Sequence, residues 1–279
     1  MKFTKMHGAG NDYVYINGFE EKIGNPVKLA QQVSNRHFGI GADGLILIMP
    51  SAVADVRMRM FNLDGSEGAM CGNGVRCVAK YAYDHGLVDR LEMSVETGAG
   101  ILSLVMFVGS AGLVTRVQVN MGKARLTRGE IPMAGSATDT AIAIPLEVDN
   151  QRLEMTCVSM GNPHAVIFVA DVEQFPVVEI GPQIENHPWF SDRVNVEFVQ
   201  IINPTEVIQR TWERGSGETL ACGTGASAVT VAGVLTGRTE RKLLNHLRGG
   251  DLELEWLESG EVMLVGPAVE VFHGDFDPK

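Results

Sequence analysis

Hydrophobic and polar positions along this chain change period every ten residues or so, with glycines at most of the changes. Asp12 to Ile16, Leu45 to Met49 and Val56 to Phe61 are short apolar or alternating runs that predict strands. Pro26 to Val33 carries the spacing of a short helix and opens on proline, which suits a first helical position. Val75 to His85 predicts a second helix with Gly86 as its stop. Ile101 to Phe107 and Leu113 to Met121, joined by Gly109-Ser110-Ala111-Gly112, predict a hairpin. The second half repeats the style. Ala165 to Val169, Val196 to Ile202 and Val207 to Trp212 predict strands, and Gly225 to Leu235 a helix stopped by Gly237. Leu252, Leu254 and Trp256 alternate with Glu253 and Glu255, a strand buried on one face. The basic stretch Arg238 to Arg248, broken by leucines, predicts a solvated helix face or loop.

The similarity of the halves extends to residues. Glu67 to Gly74 and Glu218 to Gly225 both spell E-x-x-x-C-G-x-G, and Cys71 and Cys222 stand 151 positions apart. Asn11 and Asn162, and the segments Arg59 to Asn62 and Arg210 to Glu213, keep the same offset. One offset across three blocks without a gap indicates a duplicated half-chain in which each copy supplies one cysteine.

Each cysteine precedes Gly-x-Gly and a helix. A helix N-terminus offers free N–H groups and the positive end of a dipole, which suits a carboxylate and lowers the pKa of a thiol placed there. Two such ends would hold one carboxylate and flank it with two thiols. Inverting a stereocentre beside a carboxylate requires a proton to leave one face and another to arrive on the opposite face. A thiolate and a thiol meet that need, and donors fixed on the carboxylate stabilise the developing enediolate charge. No metal or cofactor is required. Cys71 and Cys77 have no partner spacing typical of zinc. Cys77 and Cys157 lack the motif and are expected in the core, and Gly39 to Gly44 lacks the lysine of a phosphate loop.

Composition narrows the class. The 279 residues suit two domains, with a boundary expected between Met121 and Pro132. A net charge of −11 argues against nucleic acid as a partner. No apolar run approaches the ~18 residues of a membrane span. The alternating Met1 to Met6 has no signal-peptide core, so a cytoplasmic protein without membrane association is expected. Four cysteines in such a chain do not form a disulfide framework.

The run Asn62-Leu63-Asp64-Gly65-Ser66, then Cys71-Gly72-Asn73-Gly74-Val75-Arg76, resembles the signature of the diaminopimelate epimerase family. The likeness takes in Lys5 to Asp12, Met160 to His164, Arg193 to Val196, Glu213 to Gly215 and Ala221 to Gly225, nearly the whole chain. It implies a mixed α/β (α+β) fold of two pseudo-symmetric domains, each a curled mixed β-sheet around a central helix, with the site between them. The domains would be residues 1–122 with 268–279, carrying Cys71, and 123–267, carrying Cys222. It also implies cofactor-independent interconversion of LL- and meso-diaminopimelate, an isomerase reaction in lysine and peptidoglycan synthesis, with a homodimer as an expected state. By resemblance Cys71 and Cys222 are the acid–base pair, and Gly72, Asn73, Gly223 and Thr224 cradle the α-carboxylate. Asn62, Asn195 and Arg214 hold the distal end, and Asn11 and Asn162 make further contacts. His164 and Glu213 are catalytic groups near the amine and thiols. Gly44 departs from members with a glutamine there.

Three other readings stay open on the residues alone. A proline racemase-like enzyme or hydroxyproline epimerase shares the two-cysteine logic but usually has histidine at the place of Asn73. A non-catalytic anion-binding protein needs the helix ends but no thiol pair. A thiol hydrolase needs one cysteine with one base.

Overall fold

A computed structural model describes residues 1–149 and 151–278 of the chain. These fall into two compact units, Met1–Asn120 with Val265–Lys279, and Met121–Leu264. In the first unit β1 (Lys2–Gly8) and β2 (Asn11–Asn17) are followed by α1 (Pro26–Ser34), β3 (Gly44–Met49), β4 (Val56–Asn62) and the short β5 (Glu67–Gly68). Then come α2 (Gly72–Asp84), β6 (Glu92–Thr97), β7 (Gly100–Val108) and β8 (Val114–Lys123). The second unit holds β9 (Ile144–Val148), β10 (Gln151–Ser159), β11 (Pro163–Phe168), α3 (Val177–Glu185), β12 (Asn195–Asn203), β13 (Glu206–Glu213) and β14 (Gly217–Thr219). It continues through α4 (Gly223–Leu235), β15 (Lys242–Leu247) and β16 (Gly250–Trp256); β17 (Glu261–Pro267) starts in the second unit and ends in the first, to which β18 (Val269–Asp275) belongs.

The 151-residue offset runs through the architecture. Helix α3 begins and ends 151 residues after α1, and α4 begins and ends 151 residues after α2. Strand directions match as well. The order β1-β2-β3-β4-β6-β7 pairs antiparallel, parallel, antiparallel, parallel and antiparallel. The order β10-β11-β12-β13-β15-β16 pairs in the same sequence of directions. Each unit is therefore a mixed sheet with a βαβ crossover, which parallel neighbours require.

Alternation along the strands buries both faces. In the first unit Val14, Ile16, Leu45, Leu47 and Phe61 pack with Leu29, Ala30 and Val33 of α1. On the other face the Tyr15 hydroxyl donates to the Gly74 carbonyl of α2 (3.3 Å). Helix α2 touches β1, β2, β4, β6, β7 and β18, so the sheet wraps around it. Helix α4 touches β10, β11, β12, β15 and β16 in the same way. Its sequence is apolar or small all round, as a central helix must be. Polar groups on α2 are paired internally, as Lys80 Nζ with Asp84 at 2.6 Å.

Two expectations need correction, and one helix was not foreseen. Arg238 to Arg248 is neither a helix face nor a loop throughout. β15 occupies Lys242–Leu247, and Leu243, Asn245 and Leu247 are buried in alternation. A two-residue period had been hidden by the charges. The two long helices start earlier than Val75 and Gly225, at Gly72 and Gly223, because the cysteines are their N-caps. Helix α3 carries Pro182 in its interior, which masks it as a helix in the sequence.

Cys77 and Cys157 are buried as expected. Burial, outweighing the help of Tyr15 and Arg76, pushes Cys77 up to about 11, and burial likewise pushes Cys157 up to about 12. An unfolded thiol ionises near ~8.5. Between that value and the folded ones the unfolded state binds fewer protons, so stability falls as pH rises. The contribution of each thiol is whole below ~8.5 and is lost on approaching its folded value. Cys77→Ala and Cys157→Ala should each flatten the alkaline fall in unfolding free energy by about 1.4 kcal/mol per pH unit. Urea titrations between pH 8.5 and 10.5 measure it, and a slope unchanged from the parent contradicts the account.

Candidate active site

The two cysteines cap their helices alike. Cys71 has φ −135°, ψ 117° and its Sγ accepts the N–H of Gly74 (3.3 Å). Cys222 has φ −127°, ψ 111° and its Sγ accepts the N–H of Gly225 (3.4 Å). A thiol here does what a serine or aspartate does at other N-caps. The second glycine of each motif is required by a close approach. A Cβ on Gly74 would lie 2.6 Å from Ile46 Cδ1, and one on Gly225 2.5 Å from Glu197 Oε1. Each helix start thus rests on the sheet beneath it.

In the first unit the structure brings Asn11 to Cys71, whose Sγ donates to Asn11 Oδ1 (3.2 Å). The amide is oriented from behind, since Asn11 Nδ2 donates to Asp43 Oδ2 (2.8 Å). Asp43 and Asp12 are in turn bridged by Arg36 (2.9 and 2.8 Å). Burial holds Tyr13 far above its ordinary range, with the charges of Cys71 and Asp43 adding to the effect. Arg76 is fully buried, donating to Gly72 O (3.0 Å), Asn73 Oδ1 (3.0 Å) and Pro267 O (3.2 Å). Among the described residues it pairs with no carboxylate. Its burial lowers it from the usual arginine range, opposed by the sulfurs of Cys77 and Cys71. This guanidinium therefore fixes Asn73 and the carbonyl of Gly72, the two residues expected at the carboxylate.

Asn62 ends β4, where its Nδ2 donates to Ser66 Oγ (3.0 Å) and its partner across β3 is Gly44. A Cβ on Gly44 would collide with the carbonyl oxygen of Phe61 and lie 2.7 Å from Tyr13 Cε1. With this backbone no side chain fits at Gly44, so the departure from glutamine is built into the packing.

In the second unit Asn162, His164, Cys222, Gly223 and Thr224 come together. The Cys222 sulfur lies 3.4 Å from Thr224 Oγ1, which accepts from Asn162 Nδ2 (3.3 Å). Asn162 Oδ1 lies 3.1 Å from His164 Nε2, and His164 Nδ1 lies 2.8 Å from Glu197 Oε1. His164 and Asn195 are partners across β11 and β12. Asn195 Oδ1 accepts the N–H of Arg214 (2.9 Å), and the Arg214 guanidinium bonds Asp192 through its carbonyl (2.8 Å) and carboxylate (2.6 Å). Glu213 accepts from the Thr219 hydroxyl (2.6 Å).

The helix-end field was expected to lower both thiols. Cys222 instead stands well above its ordinary value, because burial comes first and the charges of Glu213 and Glu197 add to it. Thr224 and the Gly225 N–H oppose them and are outweighed. Cys71 is more exposed than Cys222.

Sequence reasoning missed Asp43, Arg76 and Glu197. Asp43 was hidden in a loop set aside for lacking a phosphate motif. Arg76 had been read only as part of a signature. Glu197 had a usable signal, being a lone carboxylate inside the apolar run Val196 to Val199, at the offset partner of Ile46.

The sequence model of the family described as diaminopimelate epimerase matches residues 3–127 and 156–271. A diaminopimelate epimerase of Agathobacter rectalis is 54% identical over 284 residues, covering 99% of each chain. One from Acetivibrio thermocellus is 53% identical over 278 residues, again covering 99% of each. Among solved structures, a phenazine biosynthesis protein of the PhzF family from Bacillus anthracis superposes with a TM-score of 0.71 at 16% identity, over 98% of both chains. A hydroxyproline epimerase from Agrobacterium vitis superposes with a TM-score of 0.69 at 16% identity, over 98% of this chain and 90% of that one. At that identity these two share the fold: mixed α/β, sheet-dominated and in two parts.

Proposed function

The chain belongs to the diaminopimelate epimerase family, and we propose that it interconverts LL- and meso-diaminopimelate without a cofactor, using Cys71 and Cys222 as the two acid–base groups. The observation that carries this reading is the pair of thiols capping α2 and α4 with the same geometry, each on a helix start that offers free N–H groups. One sulfur, as thiolate, takes the α-proton. The electron pair left on carbon delocalises into the α-carboxylate, which the N–H groups of Gly72, Asn73, Gly223 and Thr224 stabilise. The other sulfur, as thiol, returns a proton on the opposite face and is left as the thiolate. Each turnover therefore exchanges the roles of the two sulfurs, and the reverse reaction starts from the exchanged state.

Asn11 and Asn162 orient substrate beside the thiols, and His164 and Glu213 serve the reacting amine. Asn62, Asn195 and Arg214 hold the distal amino-acid end. Arg214 suits that carboxylate because its fork binds two oxygens, and its present partner, the exposed Asp192, is a surface ion pair of small worth. In the cell this reaction belongs to the cytoplasmic synthesis of lysine and peptidoglycan precursors, with a free diamino acid as partner rather than nucleic acid or membrane.

Incubation with LL-diaminopimelate in D₂O under reductant, followed by chiral analysis, tests the reading. Meso product with one deuterium at the inverted α-carbon is expected. Appearance of the DD isomer would remove the fixed distal end, and binding without α-deuterium would make the protein a binder only.

A further inference from the structure

The two helix ends match in backbone but differ in what lies beneath them. Under Gly74 the sheet presents Ile46, and under Gly225 it presents the carboxylate of Glu197. Glu197 is fully buried, on the face of β12 turned to α4, between Val196 and Phe198, which pack in the core of the opposite face. Its Oε1 meets His164 Nδ1 at 2.8 Å, while its Oε2 has no hydrogen-bond partner among the described residues. A buried carboxylate oxygen left unpaired is costly, and such a group is kept where its charge has a use.

His164 is equally buried, and both its ring nitrogens face acceptors, Glu197 Oε1 and Asn162 Oδ1. The ring thereby links the Glu197 carboxylate to the Asn162 amide. The amide of Asn162 is thereby fixed with its nitrogen toward Thr224, and Thr224 stands beside the Cys222 sulfur. The chain Glu197, His164, Asn162, Thr224, Cys222 is continuous.

We propose that Glu197 is a positioning residue for the acid–base pair: through His164 it fixes the Asn162–Thr224 arm on Cys222, and its charge beneath α4 keeps Cys222 as the protonated partner of the resting enzyme. This rests on the two-thiol reading above and adds to it a direction. With Cys222 as the resting acid, Cys71 is the resting base. The groups facing Cys222 are Glu197 from β12, Glu213 from β13, and Thr224 with the Gly225 N–H from α4 itself. His164 of β11 lies against Glu197 at 2.8 Å. Facing Cys71 are Asn11 and Tyr13 from β2 and the buried Arg76 and Cys77 from α2. Asn11 Oδ1 accepts the Cys71 S–H and so favours the thiol, but it is neutral, whereas Arg76 brings a full positive charge that favours the thiolate.

Glu197→Gln removes the charge and keeps the shape. Iodoacetamide alkylation of the Cys222 peptide, followed by mass spectrometry across pH, should rise about one pH unit or more lower in Glu197→Gln than in the parent. The Cys71 profile should stay in place. Glu197→Asp, which keeps the carboxylate, should move the Cys222 profile back toward that of the parent. An unshifted Cys222 profile in a folded variant overturns the proposal. If Glu197→Gln does not fold, Thr224→Val decides: without the hydroxyl of the arm the Cys222 profile should rise at higher pH than in the parent, and an unchanged profile overturns the arrangement. Alkylation requires no turnover, so failure of the parent to exchange the α-proton would sink the epimerase reading without deciding this one.

Discussion

Cys71→Ala and Cys222→Ala should each abolish net inversion of diaminopimelate, lowering kcat/KM by at least about 10³-fold. Removing a positioned general acid or base costs roughly 10²–10⁴-fold. Here the loss is at the upper end, because the two other thiols, Cys77 and Cys157, are buried and held protonated by that burial. Cys77 is fully buried, and burial keeps its thiol protonated up to about 11. The double variant should be little worse than either single one, since residues that act as a unit are not additive. The single variants should also differ from each other. Each should still exchange the α-proton of the one stereoisomer that faces the surviving thiol, without inverting it. Chiral chromatography for inversion and mass spectrometry for deuterium separate these outcomes. A single variant that epimerises within tenfold of the parent removes that cysteine from the mechanism.

Arg210→Ala should destabilise the fold by about 1.5–3 kcal/mol, the loss of buried charge-assisted hydrogen bonds, since Glu218 keeps a second partner in Arg248 (3.0 Å). Arg59→Ala, at the equivalent place in the first repeat, should cost only about 0.2–1 kcal/mol. Both arginines make two-pronged pairs with the glutamate that opens the cysteine motif: Arg210 with Glu218 at 2.7 and 3.0 Å, Arg59 with Glu67 at 2.8 and 2.9 Å. The difference is depth. The Arg210 and Glu218 side chains are 8% and 14% exposed, against 33% and 46% for Arg59 and Glu67. Arg210 Nη1 also donates to the carbonyls of Val172 (3.0 Å), Glu173 (3.4 Å) and Phe175 (3.2 Å), which would lose their donor. Urea unfolding of the two variants measures the contrast, and equal losses would mean that burial does not govern these pairs.

The same two pairs mark what could be read without coordinates. Arg59, Arg210, Glu67 and Glu218 lay at one offset, so the sequence already held the symmetry of the pairing. The cysteines were found in the same way, as were both helices behind them. Covalent spacing is preserved in a repeat, and Gly, Pro and the apolar period act locally, so these features needed no tertiary information. The helix starts were misjudged by two or three residues because a cysteine is a rare N-cap and its Gly-x-Gly looks like a loop. β15 was obscured because Lys242 and His246 on its other face, with Arg241 and Arg248 at its ends, outweighed the two-residue alternation of Leu243, Asn245 and Leu247.

The sequence by itself determined that two half-chains each bring one cysteine to the start of a helix, and which side chains travel with it: Asn11 and Asn162, Asn62 and Glu213, Asn73 and Thr224. Only the tertiary structure decided that the two sulfurs live in different fields. Asp43 reaches Asn11 across 32 positions, Arg76 is fully buried on α2 with no carboxylate partner among the described residues, and Glu197 lies beneath Gly225 where the other repeat has Ile46. Burial and charge act through space over a few ångströms, and the groups that set them come from strands distant in sequence. An offset between motifs records ancestry and local geometry. It does not record how deeply each copy is covered, and that depth is what raises Cys222 well above the ordinary thiol range.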